Sequence, residues 1–168
     1  FPEMLQFFKQ TLERFPDAHW LILTKDWSPD FQRQVVEAGV EPSRVLVRPA
    51  SRQEVASWLQ AVDFNLSFIR PSFSKSASSP TKMAESLALG IPMICNTGVG
   101  DVEVLLERLQ AGVALSRLEP TEFSRVFERL SEVQVQGGVA LRQRAFAELS
   151  LEVALARYHS VYAELLRL

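Results

Sequence analysis

The residues best suited to chemistry stand together in one passage, Ser79-Pro80-Thr81-Lys82 with Glu85 one helical turn further on. Ser79 reads as an N-cap, Pro80 as the first helical residue and Gly90 as the left-handed residue that closes the helix. A helix start exposes free backbone N–H groups at the positive end of its dipole, which favours an anion. The hydroxyls of Ser79 and Thr81 and the ammonium of Lys82 add to that site, and a diphosphate suits it. Thr81 and Glu85 are four apart and share a face, while Met83, Leu87 and Ala88 can face inward. Glu85 can then reach past the phosphates, where a carboxylate accepting from vicinal hydroxyls would hold a ribose. The bland alternative is that Ser79 only caps, Lys82 and Glu85 are solvated, and the Ser-rich stretch 72–79 is a plain connection.

Smaller candidates surround this passage. Arg70-Pro71 follows an apolar run and offers a cation to the phosphates, against the alternative of an exposed loop arginine. Gly98-Val99-Gly100 is a lone glycine pair, and Asp101 and Glu103 suit the positive start of a following helix. His19 and His159 have no partners at metal-ligand spacing, so no metal is expected. Neither a Gly-x-x-x-x-Gly-Lys-Ser/Thr loop nor a Gly-x-Gly-x-x-Gly turn is present. Trp20, Trp27 and Trp58 read as packing residues.

The elements that must position these residues alternate. The pattern predicts helices near 4–15, 29–38, 52–62, 80–89 and 102–109, and strands at 18–24, 44–47, 64–68, 91–96 and 112–115. The contiguous Trp20-Leu21-Ile22-Leu23 reads as a parallel strand covered on both faces. From Pro120 onward only helices are expected, near 121–130, 139–149 and 151–166, and the last, with Tyr158, Val161 and Tyr162 at helical spacing, needs a surface to cover. Such alternation implies an α/β class with a Rossmann-like, doubly wound parallel sheet followed by C-terminal helices. A sheet of that kind opens with a strand leading into its first helix, whereas this pattern opens on a helix. The expectation is therefore one domain over 1–168 that lacks its first strand.

Composition fits that class. The 168 residues are 47% apolar and 23% charged with a net charge of −2, and no basic run suggests nucleic acid as a partner. Cys95 closes an apolar stretch and reads as a buried core thiol, in keeping with a reducing cytoplasm. No apolar run reaches the roughly 20 residues of a transmembrane helix.

The passage from Ser79 through Glu85 to Leu87-Ala88-Leu89-Gly90-Ile91-Pro92-Met93-Ile94, with Gly98-Val99-Gly100-Asp101-Val102 beyond, resembles the donor-binding motif of the GT-B glycosyltransferases, in particular the retaining group called family 4. The resemblance implies that Ser79, Thr81 and Lys82 hold the diphosphate of a nucleotide-sugar donor and that Glu85 binds its ribose. It implies a nucleobase near Arg48-Pro49 as well, although a simple strand-to-helix turn is the alternative there. Ala77 occupies the position where many members carry a second Glu, which leaves Lys75, Ser76 or the loop backbone to meet the sugar. The chain then corresponds to the C-terminal half of such an enzyme, its final helix bracing the acceptor half. The missing N-terminal part would contain the acceptor-binding domain, and the acceptor is unknown. The implied activity is metal-independent, retaining sugar transfer with no cofactor beyond the donor substrate, in the cytoplasm or at the membrane periphery. A GT-B-like nucleotide-sugar epimerase and a non-catalytic nucleotide-binding module are the alternatives.

Overall fold

The computed structural model describes residues 1–135 and 137–167. In chain order these form α1 (Pro2–Arg14), β1 (Trp20–Leu23), α2 (Pro29–Glu37), β2 (Val45–Arg48), α3 (Arg52–Leu59), β3 (Asn65–Ser67), α4 (Thr81–Ala88), β4 (Met93–Asn96), α5 (Val102–Leu109), β5 (Gly112–Leu115), α6 (Pro120–Val135), α7 (Gly138–Leu149) and α8 (Leu151–Leu165). Local chemistry sets the boundaries. Ser28 caps α2 by accepting from the Phe31 N–H at 3.4 Å, with Pro29 at the first helical position. The N–H of Ser51 donates to Glu54 Oε2 at 2.7 Å at the head of α3. α4 ends where Gly90 turns left-handed at φ 77°. The Gly90 N–H then reaches the Leu87 carbonyl at 2.9 Å and the Ile91 N–H that of Ser86 at 3.1 Å, a Schellman closure.

The fold is α/β and its strand pairings are parallel, but the strands form two sheets instead of the single one expected. One pairs β1 with β2 in the register Trp20 to Val45 through Leu23 to Arg48. The other has the order β3-β4-β5, with Leu66 opposite Ile94 and Ile94 opposite Val113. Its side chains alternate between two apolar layers. Met93 and Cys95 pack with Met83 and Leu87 of α4, Leu105 and Leu106 of α5 and Leu141 of α7. Ile94 and Val113 pack with Phe7 of α1 and Phe123 and Val126 of α6. A third cluster joins Leu5 and Phe8 of α1 to Val35 of α2 and to Trp20.

Three expectations about burial are corrected. β1 was expected to be covered on both faces, yet all four of its residues are only half-buried, because its second edge has no strand beside it. Ala88 is exposed, and Ser86 takes its place on the inner face of α4 with Met83 and Leu87. Positions 83, 86, 87 and 90 form the buried stripe, at the three- and four-residue steps of one helix face. α8, expected to cover a surface, buries no residue: Tyr158, Val161 and Tyr162 are all exposed. Among the described residues no helix is long and apolar enough to cross a membrane.

Candidate functional site

The sheet β3-β4-β5 delivers two loops from neighbouring carboxyl ends. Residues 68–80 run from β3 to α4, and residues 97–101 run from β4 to α5. A buried polar side chain fixes where the first of these begins. Asn96, at the end of β4 and 4% exposed, accepts from the Ile69 N–H at 2.7 Å through Oδ1 and donates to the Ile69 carbonyl at 2.9 Å through Nδ2. Nδ2 also donates to the Thr97 carbonyl at 2.9 Å. The β3–β4 ladder ends at the Ser67–Cys95 pair, so this carboxamide supplies the pairing that the backbone no longer makes. Arg70 leaves the clamp immediately afterwards. Sequence reading took Asn96 only as the end of a strand; its one signal was a lone amide closing the apolar run Ile91–Cys95.

The two loops are then fastened together. Residues 72–78 coil through hydrogen bonds from the Lys75 and Ser76 N–H groups to the Ser72 carbonyl, at 2.9 and 3.1 Å. The Gly100 N–H donates to the Lys75 carbonyl at 2.9 Å. Gly100 has φ 49°, and a Cβ there would overlap the Ser78 carbonyl oxygen, so only glycine permits the contact. Val99 beside it is 2% exposed and anchors the turn in the core. The glycine pair, a weak signal in the sequence, is the seat of the Ser-rich loop.

α4 begins one residue later than its sequence suggests. Pro80, at φ −69° and ψ 113°, is the N-cap, and no side chain caps the helix. Pro80 itself stays extended and the helix starts at Thr81, so Ser79 lies one residue outside the cap position expected of it. Thr81 and Lys82 therefore stand at the first two helical positions, whose N–H groups have no partner inside the helix. Ser79, Thr81, Lys82 and Glu85 are all exposed, with Thr81 and Glu85 one turn apart on the same face. Among the described residues Arg70, Lys75 and Lys82 make no ion pair and Glu85 meets no cation. Ser76 is exposed and donates its hydroxyl to the Phe73 carbonyl at 2.6 Å. The start of α5 adjoins, led by Asp101.

Arg48 is not part of this group. It ends β2 in the other sheet, where its Nη1 donates to the Val47 carbonyl at 2.8 Å. Beneath α4, Cys95 is 4% exposed, and burial pushes its thiol up to about 12, which keeps it protonated and inert. Among the described residues no group of three His, Cys, Asp or Glu side chains is placed to hold a metal ion.

Among the described residues the arrangement offers hydroxyls, backbone N–H groups and three cations without an ion pair, on one loop and a helix start open to solvent. That is a surface for an anionic ligand rather than a pocket for an apolar one. No protein-family model matches the chain, and no curated protein matches it significantly.

Proposed function

We propose that this domain binds the diphosphate of a nucleotide sugar at the start of α4, as the donor half of a metal-independent, retaining glycosyltransferase of the GT-B kind. The observation that carries the reading is the fastening of the 72–78 loop to Gly100. That bond ties the loop carrying Arg70 and Lys75, which leads into Lys82 at the start of α4, to the turn after β4, and among the described residues none of the three cations is paired with a carboxylate. Crevices outside the carboxyl ends of strands are where open α/β sheets hold their ligands.

In this reading the sheets belong to one doubly wound core. Thr81, Lys82 and the free N–H groups of α4 receive the phosphates, with Ser79 beside them. Glu85 accepts from the ribose hydroxyls, and Lys75 and Ser76 face the sugar. Charge that develops on the leaving diphosphate is stabilised by Lys82, Arg70 and the helix dipole, and no metal is required for that part. The acceptor, and the residues that bind it, come from the rest of a two-domain enzyme.

The test is a calorimetric titration in EDTA against a panel of nucleoside diphosphates and their nucleosides. Saturable binding of a diphosphate, tighter than that of its nucleoside, supports the reading. Binding that depends on added magnesium or manganese contradicts it.

A further inference from the structure

Phe73 stands in the loop from β3 to α4 and is 96% exposed, more than any other large apolar side chain among the described residues. A ring left in water adds nothing to the core, so the loop folds without its help. The backbone that carries it is nevertheless fastened. The Phe73 carbonyl accepts the Ser76 hydroxyl at 2.6 Å, and the hydroxyls of Ser72 and Ser74 on either side bond to each other at 3.1 Å. The Ser78 hydroxyl donates to the Lys75 carbonyl at 2.9 Å, which also receives the Gly100 N–H. Apart from Phe73 and Lys75, residues 72–79 are all Ser or Ala, so no bulky neighbour on the loop shields the ring.

Singly exposed apolar residues are ordinary on a protein surface. Phe73 differs in being held on an ordered turn, in the loop that carries Arg70 and Lys75 and leads to Lys82. A ring presented in this way loses little side-chain freedom when a ligand lies against it. With a diphosphate at the start of α4, the reading on which this inference rests, Glu85 holds the ribose one turn further along the helix. The nucleoside then extends along α4, and the group on the far side of the diphosphate extends over residues 72–78. A pyranose there has hydroxyls at its rim and C–H groups on its faces. The hydroxyls suit the Ser76 hydroxyl and the Lys75 ammonium, and a C–H face suits a flat aromatic ring that has no other partner.

We infer that Phe73 is a specificity-determining residue: its ring packs against the C–H face of the sugar carried on the diphosphate. Its contact is with the sugar alone, so it separates a sugar nucleotide from the bare nucleoside diphosphate.

The test titrates wild type, Phe73→Ala, Phe73→Leu and Phe73→Tyr in EDTA with ADP, GDP and UDP and with their glucose, mannose and N-acetylglucosamine conjugates. Because the ring buries nothing, all three variants should keep the wild-type melting temperature. Phe73→Ala should leave the affinity for the bare diphosphate unchanged and weaken its sugar conjugate about fivefold, the equivalent of about 40 Å² of apolar contact. Phe73→Tyr should retain the conjugate affinity, and Phe73→Leu should lose most of it. Equal losses for the conjugate and the bare diphosphate, no loss with any conjugate, or full retention by Phe73→Leu overturns the assignment of the ring while leaving the diphosphate reading in place. Wild type that binds none of the diphosphates overturns both. Sedimentation with phosphatidylserine vesicles that is lost in Phe73→Ala, with the titrations unchanged, gives the ring to a lipid surface and overturns the sugar contact.

Discussion

Asn96 pairs with Ile69 as a strand would, accepting its N–H at 2.7 Å and donating to its carbonyl at 2.9 Å across 27 residues of sequence. One side chain thereby sets the point from which the loop carrying Arg70 and Lys75 departs. Asn96→Leu keeps the branched outline of the side chain but strands both Ile69 groups and the Thr97 carbonyl. The expected cost is about 2 kcal/mol, a fall in melting temperature of roughly 4–8 °C. Diphosphate affinity should weaken along with it, since the loop loses its origin. Thermal unfolding and calorimetry on the same variant check both.

Gly100→Ala introduces a Cβ where the Ser78 carbonyl now sits, so the 72–78 loop must lift. Gly39, at φ 73° with nothing near its missing Cβ, is the control for left-handed strain alone. Trypsin should cut after the exposed Lys75 faster in Gly100→Ala than in Gly39→Ala. Equal rates would show that the glycine contact does not hold the loop.

Much of this frame was legible in the sequence. β5 and α5 fall on the expected residues, and α4 closes at Gly90 as its left-handed signal implied, because caps and periodicity are local properties. What failed was non-local. Nothing between Ala18 and Thr24 tells that one edge of β1 faces a groove, and nothing in α8 tells that its tyrosines meet no surface in this domain. Ser79 was misjudged because Pro80 stays extended and takes the cap position itself, a one-residue shift of the helix start. The candidate site was visible as a cluster of residue types, while the clamp that positions it, Asn96, acts across the sheet.

Glu85→Gln tests the ribose contact. Glu85 is exposed on α4 and, among the described residues, makes no ion pair, so the change should alter stability by no more than about 0.5 kcal/mol. Affinity should fall for a ribonucleoside diphosphate and change little for its 2′,3′-dideoxy counterpart, which has no hydroxyls for the carboxylate to accept. Equal effects on the two ligands would leave Glu85 as a solvated helix residue.

Cys95 supplies a check on the core beneath the site. With its thiol pushed up to about 12 by burial, almost no thiolate exists at pH 8, and the sulfur is out of reach of reagents. Labelling by a disulfide reagent at pH 8 should therefore follow unfolding, rising with urea in step with the loss of helical circular dichroism. Rapid labelling of the native protein would contradict the packing of β4 against α4 and α5.

The central claim is that the start of α4 binds a diphosphate, and its most direct test compares wild type with Lys82→Ala. Lys82 is exposed at the second helical position and makes no ion pair among the described residues. Calorimetric titration with the nucleoside diphosphate that binds best should show a loss of about tenfold in the variant, or about 1.4 kcal/mol. Titration with the matching nucleoside should be unchanged. Equal losses for both ligands, or none for the diphosphate, would contradict the account.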